Sequence, residues 1–303
     1  MIGDMVNDEQ KSYAYGIQSM LSNSGAVIAA FFPFLLTVLG VANTAKKGVV
    51  PQSVVISFYV GATILVITSL LTVTKVHEYD PKTYARYHGI KEEDNKEGGN
   101  WFELLKKAPK VFWQVSLVQL FCWFSFQYLS TYATGAIAEN VWKVTDPSSA
   151  GYQLAGNWFG VLTAVQSIAA VIWSYVLAKV PNDHHKVGYG ISLLLGAIGY
   201  GSIFFIHSQN ILIVSFILIG ISWAAMNTYP LTMVSNALSG KHMGTYLGLF
   251  NCSICLPQII ASLLSFILFP LMNYSMPAMM LTAGISGILA AVCVLFIKET
   301  YKN

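Results

Sequence analysis

Long apolar runs separated by short polar breaks fill most of this chain, and charges, prolines and polar clusters divide it into eight such runs. They cover about 14–39, 53–74, 111–135, 157–179, 187–206, 211–235, 243–270 and 275–297. None contains Asp, Glu or Arg, and Lys179 stands only at an end. Crossing about 30 Å of hydrocarbon at about 1.5 Å per residue takes roughly 20 residues of helix. Lipid offers the backbone no hydrogen bonds, so each run must satisfy its own. The pattern predicts an all-α polytopic membrane protein with about eight transmembrane helices.

Composition removes the soluble alternative. Of 303 residues 55% are hydrophobic and 10% charged, where soluble domains carry about 25% charge. Between residues 187 and 297 the only formal charge is Lys241. A net charge of +3, spread over loops, gives no footprint for nucleic acid. It does orient the chain: Lys46, Lys47 and Lys143 fall on one side of the predicted spans and the other fourteen of the 17 Lys and Arg on the opposite side. Positive-inside logic places both termini in the cytoplasm of a multi-pass protein of the cell membrane. The N-terminus is acidic and lacks the basic region and cleavage site of a signal peptide.

One long hydrophilic segment organises the rest. Residues 1–75 hold two helices, 76–110 form a cytoplasmic linker, and 111–303 hold six helices. The stretch Lys91-Glu-Glu-Asp-Asn-Lys-Glu-Gly-Gly-Asn100 has the composition of a solvated tether. The next, Trp101-Phe-Glu-Leu-Leu-Lys-Lys-Ala-Pro109, suits an amphipathic helix on the membrane surface.

In spans without formal charge, amides and indoles are the costly groups, and they should face helix partners or a watery cavity. Gln119, Trp123 and Gln127 recur every four residues in the third run, with Tyr128 and Tyr132 beside them. An indole flanked by amides and phenols suits a sugar, whose C–H face stacks on aromatics while its hydroxyls donate and accept. The same groups would serve equally as glue between helices. Asn251, Cys255, Gln258 and Ser262 make a second stripe, interrupted by Pro257. Asn227 stands before Pro230, Gln166 and Trp173 share a face, and Gln18, Ser22, Asn23 and Ser24 mark the first run. Gly156 with Gly160, and Gly244 with Gly248, have spacing suited to close packing inside the bundle. The expected substrate-binding set is Trp123, Gln127, Tyr128, Tyr132, Gln166, Asn227, Asn251 and Gln258.

Other chemistry finds no footing. Cys122, Cys252, Cys255 and Cys293 lie in apolar runs without a second ligand pair, and His184-His185 reads as solvated loop, so no metal or cofactor is expected. Asn273-Tyr-Ser275 matches a glycosylation sequon but lies in a short loop against the membrane. No His, Asp, Glu or Cys pair is poised within the spans for acid-base or nucleophilic work, which argues against an enzyme.

Several segments in order resemble one family: Gly3-Asp-Met-Val-Asn-Asp-Glu-Gln10; Trp123-Phe with Tyr132-Ala-Thr-Gly-Ala-Ile-Ala-Glu-Asn-Val-Trp142; Ala155-Gly-Asn-Trp-Phe-Gly-Val-Leu-Thr-Ala164; Gly220-Ile-Ser-Trp-Ala-Ala225; and Met243-Gly-Thr-Tyr-Leu-Gly-Leu-Phe-Asn251. They are similar to sucrose and maltose transporters of the glycoside-pentoside-hexuronide:cation symporter type, within the major facilitator superfamily. The resemblance implies twelve helices in two halves, with a mono- or disaccharide bound between them and moved by alternating access in symport with a proton or sodium ion. The two-plus-six layout here matches helices five to twelve, so the chain is expected to be N-terminally truncated. Coupled uptake needs a carboxylate in the pathway, and these spans carry none. The competing expectation is a non-transporting sensor or scaffold built on the same fold.

Overall fold

The structure is a computed structural model and describes residues 8–42, 50, 52–75, 83, 101–147, 149–181, 184–238 and 243–298. The acidic N-terminal motif, the tether at 91–100, Lys46, Lys47, Lys241 and both termini lie outside the described residues. Nine α-helices are described: α1 Asp8–Val38, α2 Gln52–Lys75, α3 Trp101–Lys106, α4 Lys110–Ile137, α5 Ala150–Leu177, α6 His185–Phe205, α7 Leu212–Ala237, α8 Met243–Leu271 and α9 Met276–Val294. Eight are long and coincide with the eight apolar runs; the largest displacements are at the starts of α1 and α5. Six of them, α2 and α5 to α9, are long and apolar enough to cross a membrane. α1 and α4 are as long, but more polar. The amphipathic piece forms only the short α3, whose Leu104 carbonyl accepts from Tyr246 Oη of α8 at 3.0 Å.

The chain divides into two compact units, one of residues 25–100 and one of 2–24 with 101–303. In the first, the later part of α1 ends at Gly40, whose φ of +91° lets the chain turn back: Val41 N–H reaches the Leu36 carbonyl and Gly40 N–H that of Thr37, both at 3.0 Å. α2 follows, with Ser53 as its buried residue.

In the larger unit α4 sits at the centre. It packs on α9 and α8, α9 on α6, α6 on α7, and α7 on α5. Reciprocal hydroxyls join α4 to α9: Ser125 Oγ donates to the Ala283 carbonyl and Ser286 Oγ to that of Phe121, both at 2.8 Å. Backbones meet where glycine permits it. A Cβ on Gly284 would lie 2.8 Å from Gly201 Cα, and one on Gly287 2.9 Å from Ala197 Cβ. The pairs expected to pack closely do not: nothing among the described residues approaches within 4 Å of a Cβ on Gly160, Gly244 or Gly248, and Gly156 meets only Thr134 Cγ2 at 3.9 Å. Spacing marks a groove on a helix but does not bring a second helix to it, and α5 and α8 turn those faces outward.

Helix ends follow local chemistry. Ser149 and Ser275 accept from the N–H groups of Tyr152 and Ala278, capping α5 and α9. Lys186 Nζ donates to the carbonyls of Leu295 and Ile297 at 2.7 and 2.9 Å, placing a cation at the end of α9. α4 runs on into a π-helical turn, Ala138–Trp142, that ends at Lys143 with φ +56°. Within that turn Asn140 Nδ2 donates to the Ile203 and Phe204 carbonyls at the end of α6.

Candidate ligand-binding site

The expected polar line on α4 divides along its length. Gln119 is buried, and its Nε2 donates to the Met226 carbonyl of α7 at 3.2 Å. That carbonyl is the one Pro230 deprives of its helical partner, because proline has no N–H to return four residues back. Gln119 thus restores a bond lost inside α7, a structural task.

One turn later, Trp123 lies edge-on to Trp223 of α7 with centroids 5.8 Å apart, and Phe126 lies tilted on the same indole at 4.4 Å. The Trp123 indole N–H is buried and has no hydrogen-bond partner among the described residues. Trp223, absent from the expected set, is the hub of this aromatic group. Its sequence signal was its place in Gly220-Ile-Ser-Trp-Ala-Ala225, one of the segments that carry the family resemblance.

From Trp223 the site opens into a cavity of about 120 Å³, lined by Tyr15, Gln18, Ser19, Ser22 and Asn23 of α1 and by Trp223, Asn227 and Leu231 of α7. No formal charge lines it. Asn227 Nδ2 donates to the Trp223 carbonyl at 2.8 Å, and Asn23 Nδ2 to the Ser19 carbonyl at 2.7 Å. Each amide spends an N–H on its own helix, leaving its carbonyl oxygen and, at Asn227, a second N–H to meet a ligand. Ser19 Oγ also pairs with Ser174 Oγ of α5 at 3.0 Å, fixing this part of α1. The α1 amides were visible in the sequence as polar, but no local pattern could bring residue 23 to residue 227.

The rest of the expected set goes elsewhere. Gln127 is partly buried and donates to Ser262 Oγ at 3.1 Å and to Thr131 Oγ1 at 3.4 Å, joining α4 to α8. Tyr128 packs in the core, 1% exposed, between Phe124 and Tyr132. Tyr132 lies against Phe269 at 5.1 Å and lines a separate, larger groove between α4 and α8. Gln166 is buried where its own carbonyl abuts Gly220 of α7, a packing position. Gln258 Nε2 turns back to Ile254 of α8 at 3.0 Å, and Asn251 is exposed. Gln166, Gln258 and Asn251 line neither cavity; four-residue spacing gave them a common face without fixing which neighbour that face would meet. Among the described residues no group of three or more His, Cys, Asp or Glu could hold a metal.

The molecule is therefore a helical bundle with a small, neutral, oxygen-rich cavity beside an aromatic cluster. A search of curated proteins finds no match. The model of the Major Facilitator Superfamily matches residues 1–262 and, in an overlapping alignment, 145–303. With both alignments falling on these apolar helices, the chain belongs to the major facilitator superfamily, whose members are multi-pass membrane transporters of small molecules.

Proposed function

We propose that this transporter carries a neutral glycoside of the sucrose or maltose type by alternating access, with one edge of the substrate held beside Trp123 and Trp223 and hydrogen-bonded in the cavity of Asn23 and Asn227. The observation that carries this reading is the direction of the amides. Asn23 and Asn227 each turn an Nδ2 hydrogen to their own helix and keep their carbonyl oxygens, with a second N–H left at Asn227, so the cavity favours an uncharged ligand that can both donate and accept. Sugar hydroxyls supply the donors, and the indoles supply a surface for an apolar pyranose face.

No Asp or Glu occurs in α2 or in α4 to α9, and α1 holds them only at Asp8 and Glu9. Symport with a proton or sodium ion would accordingly draw its coupling group from outside these helices. The lysine and arginine asymmetry favours a plasma-membrane protein with cytoplasmic termini.

Binding can be tested without coupling. The chain in lipid nanodiscs is titrated with maltose and sucrose while tryptophan fluorescence is recorded. A saturable change abolished by Trp223→Phe is expected. The absence of any saturable change with either sugar would overturn the proposal.

A further inference from the structure

The end of the bundle where α4 begins carries a concentration of positive charge that the transport reading does not use. Lys106 closes α3, Lys107 follows it, Lys110 opens α4, and Lys298 lies just beyond α9. We propose that these four lysines, with the aromatic side chains beside them, bind the headgroup of an anionic phospholipid at the membrane surface.

Backbone and packing fix the lysines together. Leu104, Leu105 and Ala108 pack on the core, and the Leu104 carbonyl accepts from Tyr246 Oη, so α3 turns Lys106 and Lys107 outward. Ala108 N–H reaches the Leu105 carbonyl at 3.2 Å and Phe112 N–H that of Pro109 at 2.9 Å, which takes the chain from α3 into α4 through one tight corner. From the other side, the Lys298 N–H donates to Gln114 Oε1 at 3.2 Å. Gln114 stands one turn after Lys110 on the same face, so the chain leaving α9 brings the fourth lysine to the first turns of α4. All four lysines are exposed, and no hydrogen bond or ion pair occupies their ammonium groups among the described residues. Lys186 differs, having spent its ammonium on the carbonyls of Leu295 and Ile297. Glu103 is the one acid on α3, and α4 has none in its first turn. Four lysines against one glutamate leave a surplus of three positive charges that these segments do not offset.

The rings beside the lysines suit the depth of lipid headgroups. Trp101 and Phe102 stack with centroids 3.6 Å apart, and both are half exposed. So is Trp113, edge-on to the buried Phe112 at 5.6 Å. Exposed indoles collect where hydrocarbon gives way to headgroups. A phosphodiester at that level meets the ammonium groups with its charge and the rings with its glycerol and first methylenes. A small inorganic anion would use only the charges, and a zwitterionic headgroup brings a cation that the lysines repel. Orientation in the membrane asks only that lysines lie on one side; it does not ask that four of them share a corner.

The test uses the full chain in phosphatidylcholine nanodiscs doped with spin-labelled phosphatidylglycerol or spin-labelled phosphatidylcholine. Electron paramagnetic resonance reads the fraction of label that the protein immobilises. Phosphatidylglycerol should be preferred about tenfold, with the preference shrinking as salt is added. Lys110→Gln should lower the preference about fivefold, the value of one lysine at an anionic surface, and Lys110→Arg should restore it. The triple variant Lys106→Gln, Lys107→Gln, Lys110→Gln should abolish it while melting at the native temperature, since these ammonium groups hold no part of the fold. Lys179, at the end of α5 and over the Tyr175 ring at 4.1 Å, is the control, and Lys179→Gln should change the preference less than about twofold. No preference in the native chain, or one unchanged in the triple variant, would overturn the proposal. A loss as large from Lys179→Gln would assign the effect to net charge and overturn it too. So would displacement of the lipid by millimolar glycerol phosphate, which would make the patch a site for a soluble anion. Failure of maltose and sucrose to bind beside Trp223 would leave this result standing, since the two sites share no residue.

Discussion

Helices α7 and α8 look alike in sequence and live differently in the bundle. Both are long, uncharged and crossed by proline, and both carry a stripe of amides and hydroxyls. In α7 that stripe is enclosed: Ser222 and Thr228 are buried, Asn227 lines the cavity, and the carbonyl opposite Pro230 is answered by Gln119. In α8 Asn251, Cys255 and Ser262 are exposed. A polar stripe therefore identifies a face that is expensive in lipid, while the neighbours decide whether it becomes site, glue or open surface.

The strongest way to sharpen this contrast is glycine. Gly220 of α7 faces the Gln166 carbonyl and Ala169, whereas a Cβ on Gly248 of α8 meets nothing within 4 Å among the described residues. Gly220→Ala should destabilise by about 1–3 kcal/mol through overpacking. Gly248→Ala should be neutral or gain a few tenths of a kcal/mol from helix propensity. Thermal unfolding in detergent reads both, and equal shifts would erase the distinction between the helices.

Next comes the proline repair. Gln119→Leu leaves a buried carbonyl unanswered and should cost about 1–2 kcal/mol. Pro230→Ala restores an N–H to that carbonyl, so in a double-mutant cycle the loss from Gln119→Leu should shrink when Pro230→Ala is present. Strict additivity would mean that the contact carries no coupling. Gln258→Leu on α8, which loses only a bond to its own helix, should cost less than about 0.5 kcal/mol.

A smaller effect falls on affinity. Asn227→Leu should weaken maltose binding about tenfold, the value of one hydrogen bond in a closed site, and Asn251→Leu less than about twofold. The fluorescence titration separates them, and a larger loss at Asn251 would reverse the comparison.

The smallest lies at the π-helical turn, where Glu139 is partly buried. Burial raises its carboxyl above the ordinary 4.5, while a hydrogen bond from the Met276 backbone pulls it back in part. A raised folded value means that the folded state holds its proton more tightly. Its contribution to stability is complete below 4.5 and is lost as pH rises through the elevated value. Glu139→Gln should abolish that decline in melting temperature; a decline that persists in the variant would assign it to another group.

These contrasts also show what the sequence could tell. All eight long helices were legible, since an uncharged run of twenty residues in lipid has few other options. Trp123 and Asn227 were legible as polar positions worth explaining. Hidden were the relations between distant residues: Asn23 beside Asn227, Gln119 at the Pro230 gap, Gly284 against Gly201. The left-handed pair at Asn273 and Tyr274 was hidden for another reason, since a tyrosine there costs roughly 1–2 kcal/mol and no local preference announces it.

The contact of Gly284 with Gly201 has a mechanical consequence. Where two backbones touch, no layer of side chains remains to shear, so α6 and α9 must travel together, and the reciprocal serines bind α4 to the same block. The seam between α4 and α8 is of another kind, held by Gln127 on Ser262 and by rings, contacts that can exchange partners. Any rocking of this bundle should find its bearing in the first and its slip plane in the second, with amide exchange slowest across α6 and α9.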